Sequence, residues 1–134
     1  LVNLIKKNKF QDRIFFKKPI FDKKIKFQIM SENFLNILMS KSEILNLSVL
    51  ESLSVGTKSL VSENIKYPKK ISNLLYFSKP NVKILSKKIN TISKIQHPNF
   101  KNKNIIMNKF KKNYSFKIIE KKYLDFLKSL LKTN

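Results

Sequence analysis

Few residues in this chain are of a type that does acid–base, nucleophilic or metal chemistry: it has one histidine (His97), eight acids and no cysteine. A zinc-type centre needs three or four ligands in fixed geometry, and a lone imidazole without thiols does not supply them. A nucleophilic relay needs a base oriented by an acid beside a serine. No Asp or Glu stands within twenty residues of His97 in the sequence. His97 therefore reads as a turn residue or an RNA contact, not as a catalyst. The single glycine, Gly56, rules out a glycine-rich phosphate loop. The chain is expected to be no enzyme, with no metal, no cofactor and no small-molecule substrate.

The chemistry that is abundant is positive charge. The formal net charge is +21, carried by lysine almost alone, since Arg13 is the sole arginine. From Lys79 to Ile119 there are eleven lysines and no acid. Mixed-sign charge keeps an ordinary surface from repelling itself, so a run of this kind calls for an external polyanion. The asymmetry is global: residues 1–64 hold 11 basic and 6 acidic side chains, residues 65–134 hold 18 and 2. Nucleic acid and an anionic membrane surface are the two candidate partners. Lysines neutralise phosphates, and Phe100, Phe110, Tyr114 and Phe116, interleaved among them, could stack on unpaired bases. For the rings, core packing is the preferred role; for the lysines, RNA. Membrane binding wants one strongly amphipathic basic helix. Pro80, Pro98 and many asparagines in the run argue against a continuous helix, so the membrane is the less favoured partner.

Composition bounds the rest. At 134 residues there is room for one small domain with extensions, and 42% hydrophobic content is too much for a disordered basic tail. No apolar run approaches the roughly 20 residues of a membrane span. Lys, Asn, Ile and Phe abound while alanine is absent, a bias towards A+T-rich codons that points to an organelle-encoded gene and to the mitochondrial matrix. Leu1 in the leading position fits a non-standard start codon as well as a trimmed chain. The absence of cysteine excludes disulfides and leaves the redox compartment open.

The elements expected to position the lysines follow from pattern. Residues 1–23 form a basic extension, and 24–134 a single domain. Ile25, Phe27 and Ile29 alternate with Lys24, Lys26 and Gln28, which predicts a half-buried strand over Lys24–Met30. Ser31 and the box Ser40-Lys41-Ser42-Glu43 predict one long helix or two short ones within 32–53. Residues 57–81 read as an irregular insertion with a short helix at 69–77. Residues 82–119 read as an extended basic β-hairpin: a strand over 82–96, a tip at His97-Pro98-Asn99, and a return strand ending in Phe116–Ile119. A helix over 121–132 closes the chain, with Leu124, Leu127 and Leu131 at helical spacing. The residues expected to hold RNA are Lys87, Lys88, Lys94, Lys101, Lys103, Lys109, Lys111 and Lys112, with His97 and Asn99 at the tip.

This order of elements resembles the small-subunit ribosomal protein ten family. Ile25-Lys26-Phe27-Gln28-Ile29 is similar to that family's first strand, and Val82–Lys88 to the strand running into its Leu-Pro-Thr-Lys segment. Ile92–Phe100 is similar to its segment through Arg-Ser-Pro-His-Val. Ser86 stands where the family usually has proline, His97 where it has serine and Asn99 where it has histidine. A second alignment places Tyr67-Pro68-Lys69-Lys70 and Lys79-Pro80-Asn81-Val82 on the same landmarks. The resemblance implies an α+β fold, a ferredoxin-like small domain in the head of the small subunit. Its loop would thread into ribosomal RNA and touch neighbouring small-subunit ribosomal proteins. The family's last strand has no counterpart before Asn134, so it would be missing or supplied by a neighbour. The function expected is that of a structural constituent of a mitochondrial small ribosomal subunit. The alternative is a basic accessory subunit of an organellar membrane complex on anionic lipid. The isolated chain is expected to be partly disordered and to order on assembly.

Overall fold

Asp22 decides the first element. In the computed structural model its carboxylate accepts hydrogen bonds from the backbone N–H groups of Lys24 (2.8 Å) and Ile25 (3.1 Å), an N-cap that starts a helix. The structure describes residues 2–43, 46–95 and 100–131. Helix α1 (Val2–Lys7) precedes the capped helix α2 (Lys23–Glu32), which occupies the segment expected as a strand. Over seven residues the period-two and helical patterns overlap. The half-buried residues Lys26, Phe27, Ile29, Met30 and Ser31 do not alternate as a strand requires, and the Asp22 cap selects the helix. The carboxyl end of α2 is tied down from elsewhere: Thr57 Oγ1 donates to Met30 O at 2.7 Å, and Lys103 Nζ donates to the carbonyl of Ser31.

Three short strands follow: β1 (Asn36–Leu38), β2 (Ser59–Ser62) and β3 (Tyr76–Ser78). They form a parallel sheet in the order β1-β2-β3, with Ile37 opposite Leu60 and Val61 opposite Phe77. Parallel neighbours require crossovers. Helix α3 (Leu47–Ser54) lies between β1 and β2, and the short α4 (Lys69–Ser72) between β2 and β3. The expected insertion at 57–81 thus supplies two of the three strands. Every residue of β2 is buried, so Val61 and Leu60, on opposite faces, are both covered.

The lysine-rich part is helical. Asn81 Oδ1 accepts from the N–H groups of Lys83 and Ile84, opening α5 (Val82–Ile95) directly after Pro80. Leu85, Lys88, Ile89 and Ile92 form its covered stripe, with Ile92 fully buried. Helix α6 (Phe100–Tyr114) buries Ile106 and Phe110, four residues apart, and α7 (Phe116–Leu131) follows Ser115. No β-hairpin exists over the described residues of 82–119, and the order is not that of a ferredoxin-like domain. What holds is a mixed α/β fold with a small parallel sheet. The closing helix is present and begins five residues earlier than expected.

One core joins these parts. Val49 and Leu53 of α3, Val61 of β2, Ile71 of α4, Leu74, Leu75, and Ile106 and Phe110 of α6 form a single buried cluster. Phe110 stacks on Tyr114 (ring centres 5.3 Å apart), and Tyr67 meets Phe77 edge-on at 6.3 Å. Gly56 permits the closest approach. It follows α3 with φ +80°, Thr57 N–H donates to Ser52 O, and a Cβ at Gly56 would lie 2.5 Å from the Lys103 carbonyl oxygen of α6.

Candidate nucleic-acid interface

The sheet and its helices sort the lysines into separate places. α5 runs from the carboxyl ends of the strands back towards their amino ends. Its first half meets the ends of β2 and β3 at a concavity of about 390 Å³ lined by Glu63, Phe77, Lys79, Ile84, Lys87 and Lys88, among others. Lys87 is exposed and Lys88 half-buried. Two of the expected RNA contacts are therefore brought together here, beside one acid.

At the opposite end of β2 and β3 two concavities adjoin. One, of about 270 Å³, is lined by Lys58 and Tyr76 at the starts of β2 and β3, by Ile95 at the end of α5, and by Asn102, Ile105, Ile106 and Lys109 of α6, over Asn73 and Leu74. The second, of about 290 Å³, is lined by Lys70, Lys109, Lys112 and Asn113, again over Asn73 and Leu74. The shared Asn73, Leu74 and Lys109 make them one two-lobed groove. Four lysines line it and no acid does, so each ammonium raises the local concentration of anions. Lys58 is held in place. Its Nζ donates to the Tyr76 hydroxyl at 3.2 Å and sits 4.6 Å from the ring centre, which leaves the phenolic proton free to donate outward.

The remaining expected contacts fall elsewhere. Lys94 and Lys111 are exposed and line neither lobe, and Lys101 falls in the first turn of α6. Lys103 belongs to the scaffold, since its ammonium binds the carbonyls of Ser31 and Asn33 at the end of α2, where a cation complements the helix dipole. His97 and Asn99 lie outside the described residues. Of the rings considered for stacking, Phe110 is buried and Tyr114 partly so, while Phe116 is 80% exposed. A mostly apolar cavity of about 700 Å³ lies between α2, α3 and α6, but Glu32 lines it and Lys103 is already engaged there.

Lys58, Lys70 and Tyr76 were not anticipated. For Lys70 a signal existed: the acid-free stretch begins at Asn64, directly after Glu63, and holds fourteen lysines through Ile119. For Lys58, a lone lysine before a short apolar strand, the sequence carries none. Lys26 and Glu51 form an ion pair at 2.5 Å between α2 and α3, away from the groove. The Tyr67 hydroxyl is buried without a hydrogen-bond partner, and desolvation, reinforced by the Glu43 carboxylate, pushes its pKa above the usual phenol value. The Asn46 side chain approaches as a hydrogen-bond partner and offsets part of that rise, though neither its amide nitrogen nor the phenol makes a hydrogen bond of ordinary geometry. No group of acids, histidine and cysteine able to hold a metal ion occurs among the described residues, and no helix among them is long and apolar enough to cross a membrane. Comparison with protein-family models and with curated proteins gives no match to this chain.

Proposed function

We propose that this chain is a structural, RNA-binding constituent of a mitochondrial small ribosomal subunit, packing against ribosomal RNA and neighbouring proteins. The observation that carries it is the acid-free stretch after Glu63, whose lysines are displayed from α4, α5 and α6 around concave surfaces. Phosphates of folded RNA fit such a distribution, because point charges at many angles neutralise a backbone without needing arginine's bidentate fork. The codon-biased composition supports an organellar gene. The segments that carry the ribosomal protein ten resemblance are helical at 24–30 and over the described residues of 82–119, so the proposal leans on charge and its display more than on element order.

The membrane alternative has an observation of its own. α5, α6 and α7 are helices, and α7 exposes Phe116, Ile119, Tyr123, Leu124 and Leu127 beside Lys117, Lys121, Lys122 and Lys128. That is an amphipathic basic helix of the kind that lies on anionic lipid. Against it, α7 is where acids return, as Glu120 and Asp125, while the groove lysines sit in hollows that a flat bilayer does not enter.

Salt titration separates the two. With seven lysines lining the concavities (Lys58, Lys70, Lys79, Lys87, Lys88, Lys109 and Lys112), log affinity for single-stranded RNA should fall with log salt with a slope of about −5, at roughly 0.7 per phosphate contact. Binding that ignores salt, or vesicles of anionic lipid that strip the chain from RNA at equal phosphate, would overturn the proposal.

A further inference from the structure

The two lobes of the groove differ in chemistry, and the difference specifies a ligand. The lobe at Tyr76 is mixed: Ile95 (73% exposed) and Ile105 (48% exposed) line it together with Lys58 and the amides of Asn73 and Asn102. Two exposed isoleucines and a tyrosine in one lobe offer apolar surface to a flat ring. The adjoining lobe has the three ammonium groups of Lys70, Lys109 and Lys112, none with a hydrogen-bond partner among the described residues, and the amides of Asn73 and Asn113. A mixed lobe of about 270 Å³, with isoleucine and tyrosine in its lining, adjoins a lysine- and asparagine-lined lobe of about 290 Å³, both at the small end of ligand cavities.

We infer that this groove holds one unpaired nucleotide of an RNA strand, base and ribose in the Tyr76 lobe and its flanking phosphates on Lys70, Lys109 and Lys112. The inference rests on the RNA-binding proposal and narrows it. A paired base is hidden in the duplex, whereas an unpaired one can turn its face to isoleucine and tyrosine. Lys58, fixed on the Tyr76 hydroxyl, stands at the lobe's edge, and the phenolic proton points a donor at the sugar or phosphate.

The test uses the full chain, a labelled eight-nucleotide oligouridylate, an RNA duplex of the same length, and free uridine monophosphate. Wild type is expected to bind the single strand at least about tenfold tighter than the duplex, the scale of one base on an apolar and aromatic platform. The variant Lys70→Gln/Lys109→Gln/Lys112→Gln should lose that preference, with its salt slope reduced by about 2. Ile105→Glu, at an exposed position that leaves the core intact, should abolish the preference as well. The charge-matched variant Lys117→Gln/Lys121→Gln/Lys122→Gln on α7 should keep it. Equal affinity of wild type for strand and duplex overturns the inference while leaving the RNA-binding proposal standing, and so does equal loss of preference in the α7 variant. Uridine monophosphate competing as well as the oligomer would make the occupant a free nucleotide and would also overturn it. No binding to either RNA would sink the broader proposal itself.

Discussion

Replacing Gly56 by alanine should loosen the contact between α3 and α6 that holds the groove's lysines in place. At φ +80° the backbone is in the left-handed region, where an L-residue costs about 1–2 kcal/mol. The added methyl would also meet Lys103 at three points: its carbonyl oxygen at 2.5 Å, its Cβ at 2.8 Å and its carbonyl carbon at 2.9 Å. Two of these are backbone atoms of a helix, so relief requires α6 to move as a body. Overpacking of that kind costs about 1–3 kcal/mol. The sum, about 2–5 kcal/mol, is a large share of the roughly 5–15 kcal/mol that stabilises a domain. Thermal unfolding followed by circular dichroism should show a drop on the order of 10 °C. Gly56→Asn separates the contributions, because asparagine tolerates the left-handed region but carries the same Cβ. It should recover part of the loss, not most of it. An alanine variant that melts within about 2 °C of wild type would refute both the backbone conformation and the close approach of α6.

Other outcomes follow from the same geometry. Lys103→Met should lower stability by about 1 kcal/mol, since it removes the cation on the Ser31 and Asn33 carbonyls, yet leave the salt slope of RNA binding unchanged; a lost unit of slope would make it a phosphate contact. Tyr67→Phe removes a buried hydroxyl that lacks a partner, so stability near neutral pH should be equal or higher by about 1 kcal/mol. The raised phenol pKa favours the neutral form in the folded state. Its contribution is therefore complete below the ordinary value of 10.0 and lost as pH rises through the folded value. A melting curve against pH should decline less above pH 10 in the phenylalanine variant, and parallel curves would contradict this. The stretch from Phe10 to Asp22 exposes Phe15 at 71%, Phe16 at 63% and Phe21 at 91%. Limited proteolysis of the free chain should cut there before it cuts α3 or α6, and early cleavage within the core helices would count against the buried cluster.

Some of the fold is legible in the sequence, and the rest is hidden for identifiable reasons. The closing helix shows because Leu124, Leu127 and Leu131 repeat over enough turns to fix the period. The helix ending at Ser54 shows through Leu47, Leu50 and Leu53, though its cap is Asn46, whose side chain accepts from Val49 N–H, and not the box at residues 40–43. The strands stay hidden. Ser59–Ser62 is covered on both faces, so it has no alternation, and serines at both ends disguise it as loop. Tyr76–Ser78 is three residues long. Lysine misleads most at 82–119: bound to a helix or a strand it gives the same dense basic pattern, and the deciding signals are single side chains, Asn81 as a cap and Ile106 with Phe110 one turn apart. For the interface, charge identifies the kind of partner and half of the groove, Lys109 and Lys112. Lys58 and Tyr76 join them only through the parallel pairing of β2 with β3, and Lys70 through the packing of α4, relations between residues distant in sequence.

The proposed role is tested most directly by sedimentation of a mitochondrial lysate from the source organism, with the chain followed by antibody across the gradient. It should travel with small ribosomal subunits at moderate salt and leave them after ribonuclease treatment. A chain that stays at the top of the gradient, or floats with membranes whether or not RNA is digested, would contradict a structural place in the ribosome.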